Sequence, residues 1–316
     1  ETPPPAPAAK AAPAPAEEED LLGLGGTPAP SLPAASAGGA GAATAAAGPT
    51  QFVKVTAEQR AQVAAWLNAL VAKAAGVLYE DEHVMVGVQV QLKPPEARLM
   101  VHVRNKTAGP LRSLKLRVPP LPAVATSVIS EVPPVVEAGG TAKVQVAATC
   151  MAPFSDPPAL QLSFLSAGGA TGHAYALKLP VFPTSFLAPI AMEGPAFNER
   201  WAALAGAERE SGSVLQATGG SASAETATAH LSATHVGVVG SATAGATPVV
   251  FGAASFRTAT KGKSGDPISV GVLVRIDVSG TSAAYRLIIR AQSGAVAGGV
   301  RAALAPGLGT APPGAS

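Results

Sequence analysis

Few residues of this chain are of types and spacings that could do chemistry, and most of those stand alone. Gly262-Lys263-Ser264 ends like a phosphate-binding loop, whose backbone amides cradle anionic oxygens. Arg257, however, occupies the position where such a loop needs its first glycine. There is no G-x-S-x-G nucleophile elbow and no H-E-x-x-H pair. The chain has 5 histidines. The close pair, His230 and His235, has a spacing that does not present both rings on one helical face, so metal binding is not expected. Cys150 is the single cysteine. It has no base nearby in sequence and reads as a buried structural thiol. Asn105-Lys106-Thr107 has the form of a glycosylation sequon, which matters only in a secreted protein. These residues predict no catalytic set, no metal site and no cofactor, and hence no enzyme.

Recognition chemistry remains. Phe197, Arg200 and Trp201 fall on one short segment with helical spacing. Arg275 and Asp277 share one face of the strand-like Ile268–Val278 segment, and Arg286 and Arg290 share one face of Tyr285–Arg290. A tryptophan with guanidiniums around it suits a pocket for an aromatic side chain flanked by carboxylates. The same residue types would also make a core tryptophan beside a solvated basic face, and spacing alone leaves both readings open.

The elements that must position these residues follow from periodicity. Residues 1–51 are dominated by Ala, Pro and Gly and read as a disordered tether, because such a segment buries too little apolar area to offset its ordering entropy. Within it, the acidic run Glu17–Asp20 is followed by Leu21, Leu22 and Leu24, which reads either as a chance cluster or as a short linear motif. Thr56 with Gln59 three residues on is a capping-box signature. Val63, Trp66, Leu67, Leu70 and Val71 then form one helical stripe. From residue 76 to 182 apolar residues alternate: Val84, Val86, Val88, Val90 and Leu92; then Leu99, Val101 and Val103; then Leu114, Leu116 and Val118; then Val144 and Val146. Leu160, Leu162 and Phe164 follow, then Tyr175, Leu177 and Leu179. Short strands separated by Pro and Gly turns, with no helices between them, predict an immunoglobulin-like antiparallel β-sandwich over 52–182, preceded by the helix. Pro183, Pro189 and Pro195 punctuate a connector. Phe197, Trp201 and Leu204 then mark a short helix, and strands return at 248–256, 268–278 and 284–291. We expect a small mixed α/β platform domain over 183–306, with an inserted loop at about 207–247 and a disordered tail at 307–316. The fold class is thus mainly β, then α+β.

Composition narrows the function. The 316 residues carry a net charge of +2, which is no electrostatic footprint for nucleic acid. Hydrophobic residues are 47% but aromatics only 4%, so Ala inflates the apolar fraction and the core rests on Val, Leu, Ile and few rings. One cysteine excludes a disulfide framework and fits a reducing compartment. No uninterrupted apolar stretch reaches the roughly 18 residues of a membrane span. No signal peptide is visible, and because the first residue is Glu rather than Met the chain is expected to have been cut from something longer.

Several segments taken together resemble a known family. GVLYEDEHVMVGVQVQ (76–91) with ARLMVHVRNKT (97–107) is similar to the start of the appendage of alpha-adaptin, a large subunit of the endocytic clathrin adaptor complex, adaptor protein complex 2. LKLPVFPTSFLAPIAMEGPAFNERW (177–201) resembles the family's junction between sandwich and platform, where a helix carries an F-F-x-R-W pattern. VGVLVRIDVSGTSAAYRLIIR (270–290) is similar to the platform's paired strands. The resemblance spans roughly 52–304, and the tether resembles the family's hinge.

The resemblance implies a non-enzymatic hub that binds D-P-F, D-P-W and F-x-D-x-F motifs of endocytic accessory proteins, cytoplasmic and peripheral at plasma-membrane clathrin-coated pits. It also implies a link to the other adaptor subunits through a trunk outside this chain. It makes Trp201 the wall of a platform pocket with Phe197 and Arg200 beside it. Arg275, Arg286 and Arg290 would meet the motif, with Asp277 ordering them. Leu21, Leu22 and Leu24 resemble a clathrin-box motif without its closing acid. The chain departs from the pattern at Asn198, where animal members usually carry a second Phe, and at His102, where members use an aromatic for a second peptide site on the sandwich. The alternatives are a beta- or gamma-type ear, or a secreted β-sandwich on a Pro-rich stalk.

Overall fold

The computed structural model describes residues 50–53, 56–166, 171–244, 247–263, 265–279 and 281–312. Every described residue lies in the unit Ala42–Ser316. Leu21, Leu22 and Leu24 lie outside the described residues.

The strands begin at β1 (Thr50–Phe52), which pairs in parallel with β10 (Gly172–Lys178). The segment expected to be tether as far as residue 51 therefore already contributes backbone to a sheet at Thr50 and Gln51. The physical reason is that the edge of β10 presents unpaired backbone groups that a neighbouring chain can satisfy whatever its side chains. Helix α1 (Ala57–Ala69) starts as its sequence predicts. The Thr56 hydroxyl accepts from Gln59 N, and the Gln59 side chain accepts from Thr56 N. Val63 and Leu70 on its stripe are buried, while Trp66 is only partly so.

Two five-stranded sheets make the sandwich. One is ordered β2 (Ala75–Glu80), β3 (Val84–Lys93), β4 (Glu96–Asn105), β8 (Thr141–Cys150), β6 (Val124–Val128). The other is ordered β1, β10, β9 (Ala159–Leu165), β5 (Leu111–Arg117), β7 (Val135–Val136). Apart from β1, every pairing is antiparallel. The alternating residues face inward: Val84, Val86, Leu99, Val101, Val103, Val144 and Val146 are all inaccessible or nearly so. β5 breaks the alternation with a bulge between Arg112 and Lys115, where Ser113 has φ 52°. That extra residue is why Leu111 and Leu114, three apart, are both buried.

The sequon Asn105 is a structural residue at the end of β4. It is fully buried, and its amide nitrogen donates to the carbonyls of Gly109, Val136 and Glu137 at 2.8, 3.0 and 3.1 Å. Its oxygen accepts from the backbone and hydroxyl of Thr107. Two segments, 107–109 and 136–137, are thus tied to one side chain. Nearby, Asp81 accepts from the amides of His83 and Val84 and from the Tyr175 and Tyr79 hydroxyls. Burial, then the Asp81 charge, raises both tyrosine pKa values. Cys150 is buried, and desolvation pushes its thiol up to about 12, so it is a packed, inert group.

After a buried turn at Pro183–Phe186, one sheet holds the second layer system. Its order is β11 (Leu187–Pro189), β14 (Thr247–Lys261), β15 (Pro267–Ser279), β16 (Ala284–Ala291), β12 (Glu210–Ala217), β17 (Gly309–Thr310), with β13 (Gly237–Ala244) also paired to β14. Helix α2 (Gly194–Ala203) packs on one face, while α3 (Ala224–Ala233) and α4 (Gly294–Leu308) pack on the other.

Two expectations need correction here. The 207–247 segment is not a loop: it supplies β12, α3 and β13. Its Ser, Gly, Thr and Ala residues hide strand character because β12 is stabilised by pairing with β16 over Glu210–Gln216, with only Leu215 and Ala217 buried. The expected tail is likewise built in from 307 as far as Thr310. α4 runs to Leu308, burying Val296, Ala297, Val300, Ala303, Leu304 and Leu308, and β17 follows. Small residues let this helix lie close to its neighbours: a Cβ on Gly299 would come 2.3 Å from the Phe154 carbonyl oxygen, and one on Gly307 would meet the His230 ring. Tertiary packing outweighs the poor helix propensity of its glycines.

Candidate functional site

The site is built on the sheet face that α2 crosses. β-register places residues in rows across β14, β15, β16 and β12. The first row is Ala253, Leu273, Arg290, Glu210; the next is Phe251, Arg275, Ile288, Gly212; the third is Val249, Asp277, Arg286, Val214. Helix α2 begins with Pro195 in its first turn, where a missing amide hydrogen costs nothing. Its spacing then turns Phe197 down onto Ala253 and Leu273, with Trp201, Leu204, Ile190, Met192, Val239 and Phe251 packed around them.

Phe197 is buried and its ring lies 5.6 Å from that of Trp201, nearly parallel at 17°, and 5.0 Å from Phe251. Trp201 is thus held on one side by a core ring, yet stays partly exposed. Arg290 fixes it from the sheet. The guanidinium carbon sits 4.4 Å from the indole centroid, its Nε donates to Glu210 Oε2 at 2.7 Å, and its Nη1 donates to the Trp201 carbonyl at 2.7 Å. One row on, Arg275 Nε donates to Asp277 Oδ1 at 2.7 Å. Arg286 stands opposite Asp277 and is exposed, as are Gly212 and Val214, the latter 52% accessible. The result is an indole edge beside an open strip of sheet with an apolar patch and two arginines, a surface able to hold an aromatic ring and a carboxylate together.

Six of the seven residues named from sequence are therefore on or beside one surface: Phe197, Trp201, Arg275, Asp277, Arg286 and Arg290. Arg200 is not with them. It is exposed and lines a cavity of about 300 Å³ with Ile190, Met192, Ala203, Leu204, Gly271, Leu273 and Gln292. One residue along a helix is a rotation of about 100°, which separates Arg200 from the Trp201 side. The structure adds two residues that the sequence did not single out. Glu210 reaches Arg290 only through the β12–β16 pairing, in a segment read as loop, so no local signal marked it. Phe251 lies within a strand-like run and only the sheet register places it against Phe197. Asn198 is exposed on α2. His102 lies mid-strand on β4, partly buried, opposite Gly87 and Lys143. The Gly262-Lys263 segment is the β14–β15 hairpin turn, closed by Gly262 N donating to the Asp266 carbonyl, with no helix after it.

Among known proteins, the chain is 26% identical over 143 residues to the AP-2 complex subunit alpha-2 of Dictyostelium discoideum, covering 45% of this chain and 14% of that one. It is 28% identical over 151 residues to the AP-2 complex subunit alpha-1 of Arabidopsis thaliana, covering 48% and 15%. The chain thus spans only a small part of the length of these relatives. Among solved structures, the GAE domain of yeast GGA1 covers 33% of this chain at 13% identity, with 97% of that domain aligned and a TM-score of 0.29. The GAE domain of GGA2p from Saccharomyces cerevisiae covers 34% at 8% identity, with 99% aligned and a TM-score of 0.29. Residues 185–307 match the family model of the alpha adaptin AP2 C-terminal domain, a span that holds α2, the whole Trp201–Arg290 surface and nearly all of α4. Over residues 185–307 the chain is therefore similar to the alpha-adaptin C-terminal domain.

Proposed function

We propose that this chain is a non-enzymatic adaptor appendage that recruits endocytic accessory proteins by capturing short D-P-F/W-type or F-x-D-x-F motifs in clathrin-mediated endocytosis and vesicle transport. It works in the cytoplasm at plasma-membrane coated pits, tied to other adaptor subunits through a trunk outside this chain. No described helix is long and apolar enough to cross a membrane.

The observation that carries this reading is the Trp201 ring clamped by Phe197 and Arg290 beside an open sheet strip. The motif's aromatic ring lies against the exposed side of Trp201, over Ile288, Gly212 and Val214. Its aspartate meets Arg286 and Arg275, whose guanidinium Asp277 orients. Asn198 leaves the helix without a second ring, which relaxes strict preference for Phe. Clathrin binding through Leu21, Leu22 and Leu24 is proposed on the resemblance of that segment alone.

Calorimetry with a D-P-F peptide tests the assignment. Trp201→Ala is expected to cost at least about 2 kcal/mol, roughly thirtyfold in affinity, because one aromatic anchor carries most of a short-motif interface. Unchanged affinity would remove Trp201, and the pocket with it, from the interface.

A further inference from the structure

Helix α2 divides its sheet face in two, and only one half is used by the reading above. On the far side, beyond the Ala253–Leu273–Arg290 row, register places Ser255 beside Gly271. Here lies the cavity of about 300 Å³ already noted, walled by Ile190, Met192, Leu204 and Leu273. Two of its positions, Ala203 and Gly271, carry little or no side chain, which leaves it open. A Cβ on Gly271 would meet nothing within 4 Å. Pockets that hold drug-sized ligands run from about 300 to 1,000 Å³, so this one has room for one or two side chains.

The charged residue that lines it is Arg200. Arg200 is exposed at the mouth and has no carboxylate within ion-pair distance among the described residues. Arg257 follows Ser255 by two residues on β14, hence on the same sheet face, and is also exposed and unpaired among the described residues. Gln292 adds a neutral donor and acceptor at the rim. An apolar slot with guanidiniums at its edge is complementary to a bulky apolar side chain next to carboxylates. It suits neither a basic peptide nor a purely apolar ligand.

We propose that this cleft is a second docking site, independent of Trp201, for an acidic linear peptide. The peptide inserts one aliphatic or aromatic side chain between Met192, Leu204 and Gly271 and sets its carboxylates against Arg200 and Arg257. An appendage with two such sites on opposite flanks of one helix holds two peptide segments at once, which raises avidity without any new contact at either site.

The test uses the full chain and three fluorescein-labelled peptides. Each has the same Asp/Glu flanks around a single central Leu, Phe or Trp, and none contains D-P-F. Fluorescence polarisation is expected to show at least one binding with Kd of about 10–100 μM. Gly271→Leu fills the slot and should weaken that binding at least about tenfold while leaving D-P-F affinity within about twofold. Arg200→Glu reverses the charge at an exposed position and should weaken it similarly. Should Gly271→Leu perturb the thermal midpoint, Arg200→Glu decides alone. The proposal is overturned if no peptide binds below about 1 mM, if these variants leave binding unchanged, or if unlabelled D-P-F peptide displaces the probe.

Discussion

Arg290 holds Trp201 twice over: its guanidinium lies 4.4 Å from the indole centroid while its Nη1 donates to the carbonyl oxygen of the same residue. A side chain on the sheet thereby sets both the ring and the helix backbone that carries it, and Glu210 sets the side chain in turn. The first prediction follows. Arg290→Lys keeps the charge but loses the planar fork that spans Glu210 and the carbonyl. D-P-F affinity should fall roughly tenfold by calorimetry. Wild-type affinity in the Lys variant would mean that Phe197 alone positions the indole.

Adjacent glycines on α4 should respond in opposite directions. A Cβ at Gly299 would sit 2.3 Å from the Phe154 carbonyl oxygen and 3.2 Å from a Pro183 ring carbon, whereas one at Gly298 meets nothing within 4 Å. Gly299→Ala should therefore lose about 1–3 kcal/mol in urea unfolding. Gly298→Ala should gain up to about 1 kcal/mol from reduced backbone entropy in the unfolded chain. Equal effects would show that α4 does not lie against the Phe154 segment.

His230 couples α3 to α4. Its Nε2 is 3.0 Å from the Leu304 carbonyl oxygen, an acceptor, so that nitrogen carries a proton and the neutral ring suffices. Burial lowers its pKa, partly opposed by this hydrogen bond. Because the folded value is depressed, the unfolded chain binds the extra proton first. Stability is then full above the unfolded value of about 6.5 and declines as pH falls below it. His173 contributes in the same direction, its pKa lowered by burial and then by His83. Urea unfolding from pH 7.5 to 5 should show a smaller decline in His230→Gln than in the parent. Parallel curves would assign the slope elsewhere.

Asn105 should be intolerant of its nearest isostere. Asn105→Asp replaces an amide whose two N–H donors are shared among the carbonyls of Gly109, Val136 and Glu137 with a group that only accepts when ionised. The expected loss is at least about 2 kcal/mol, read from the denaturant midpoint. A near-neutral result would mean that loops 109 and 136–137 hold their places without that amide.

The resemblance that named the platform residues was carried by local strings, and local strings determine a good deal here. Period-two alternation of Val and Leu sufficed for the sandwich, because a half-buried strand writes its burial directly into its side chains. The Thr56 cap and the Phe197–Trp201–Leu204 spacing sufficed for α1 and α2. Tertiary structure decided the rest. β12 is a strand because β16 offers it partners, and α4 is a helix because Gly299 and Gly307 let it close on Phe154 and His230. Neither condition leaves a bulky apolar pattern in the sequence. The same holds for the site: alternation showed that Arg275 and Asp277 share a face, but only sheet register put Glu210 on Arg290 and Phe251 on Phe197. Helix rotation then sent Arg200 to the opposite flank. Residue types chose the chemistry, and contacts between residues distant in sequence decided which of them act on one surface.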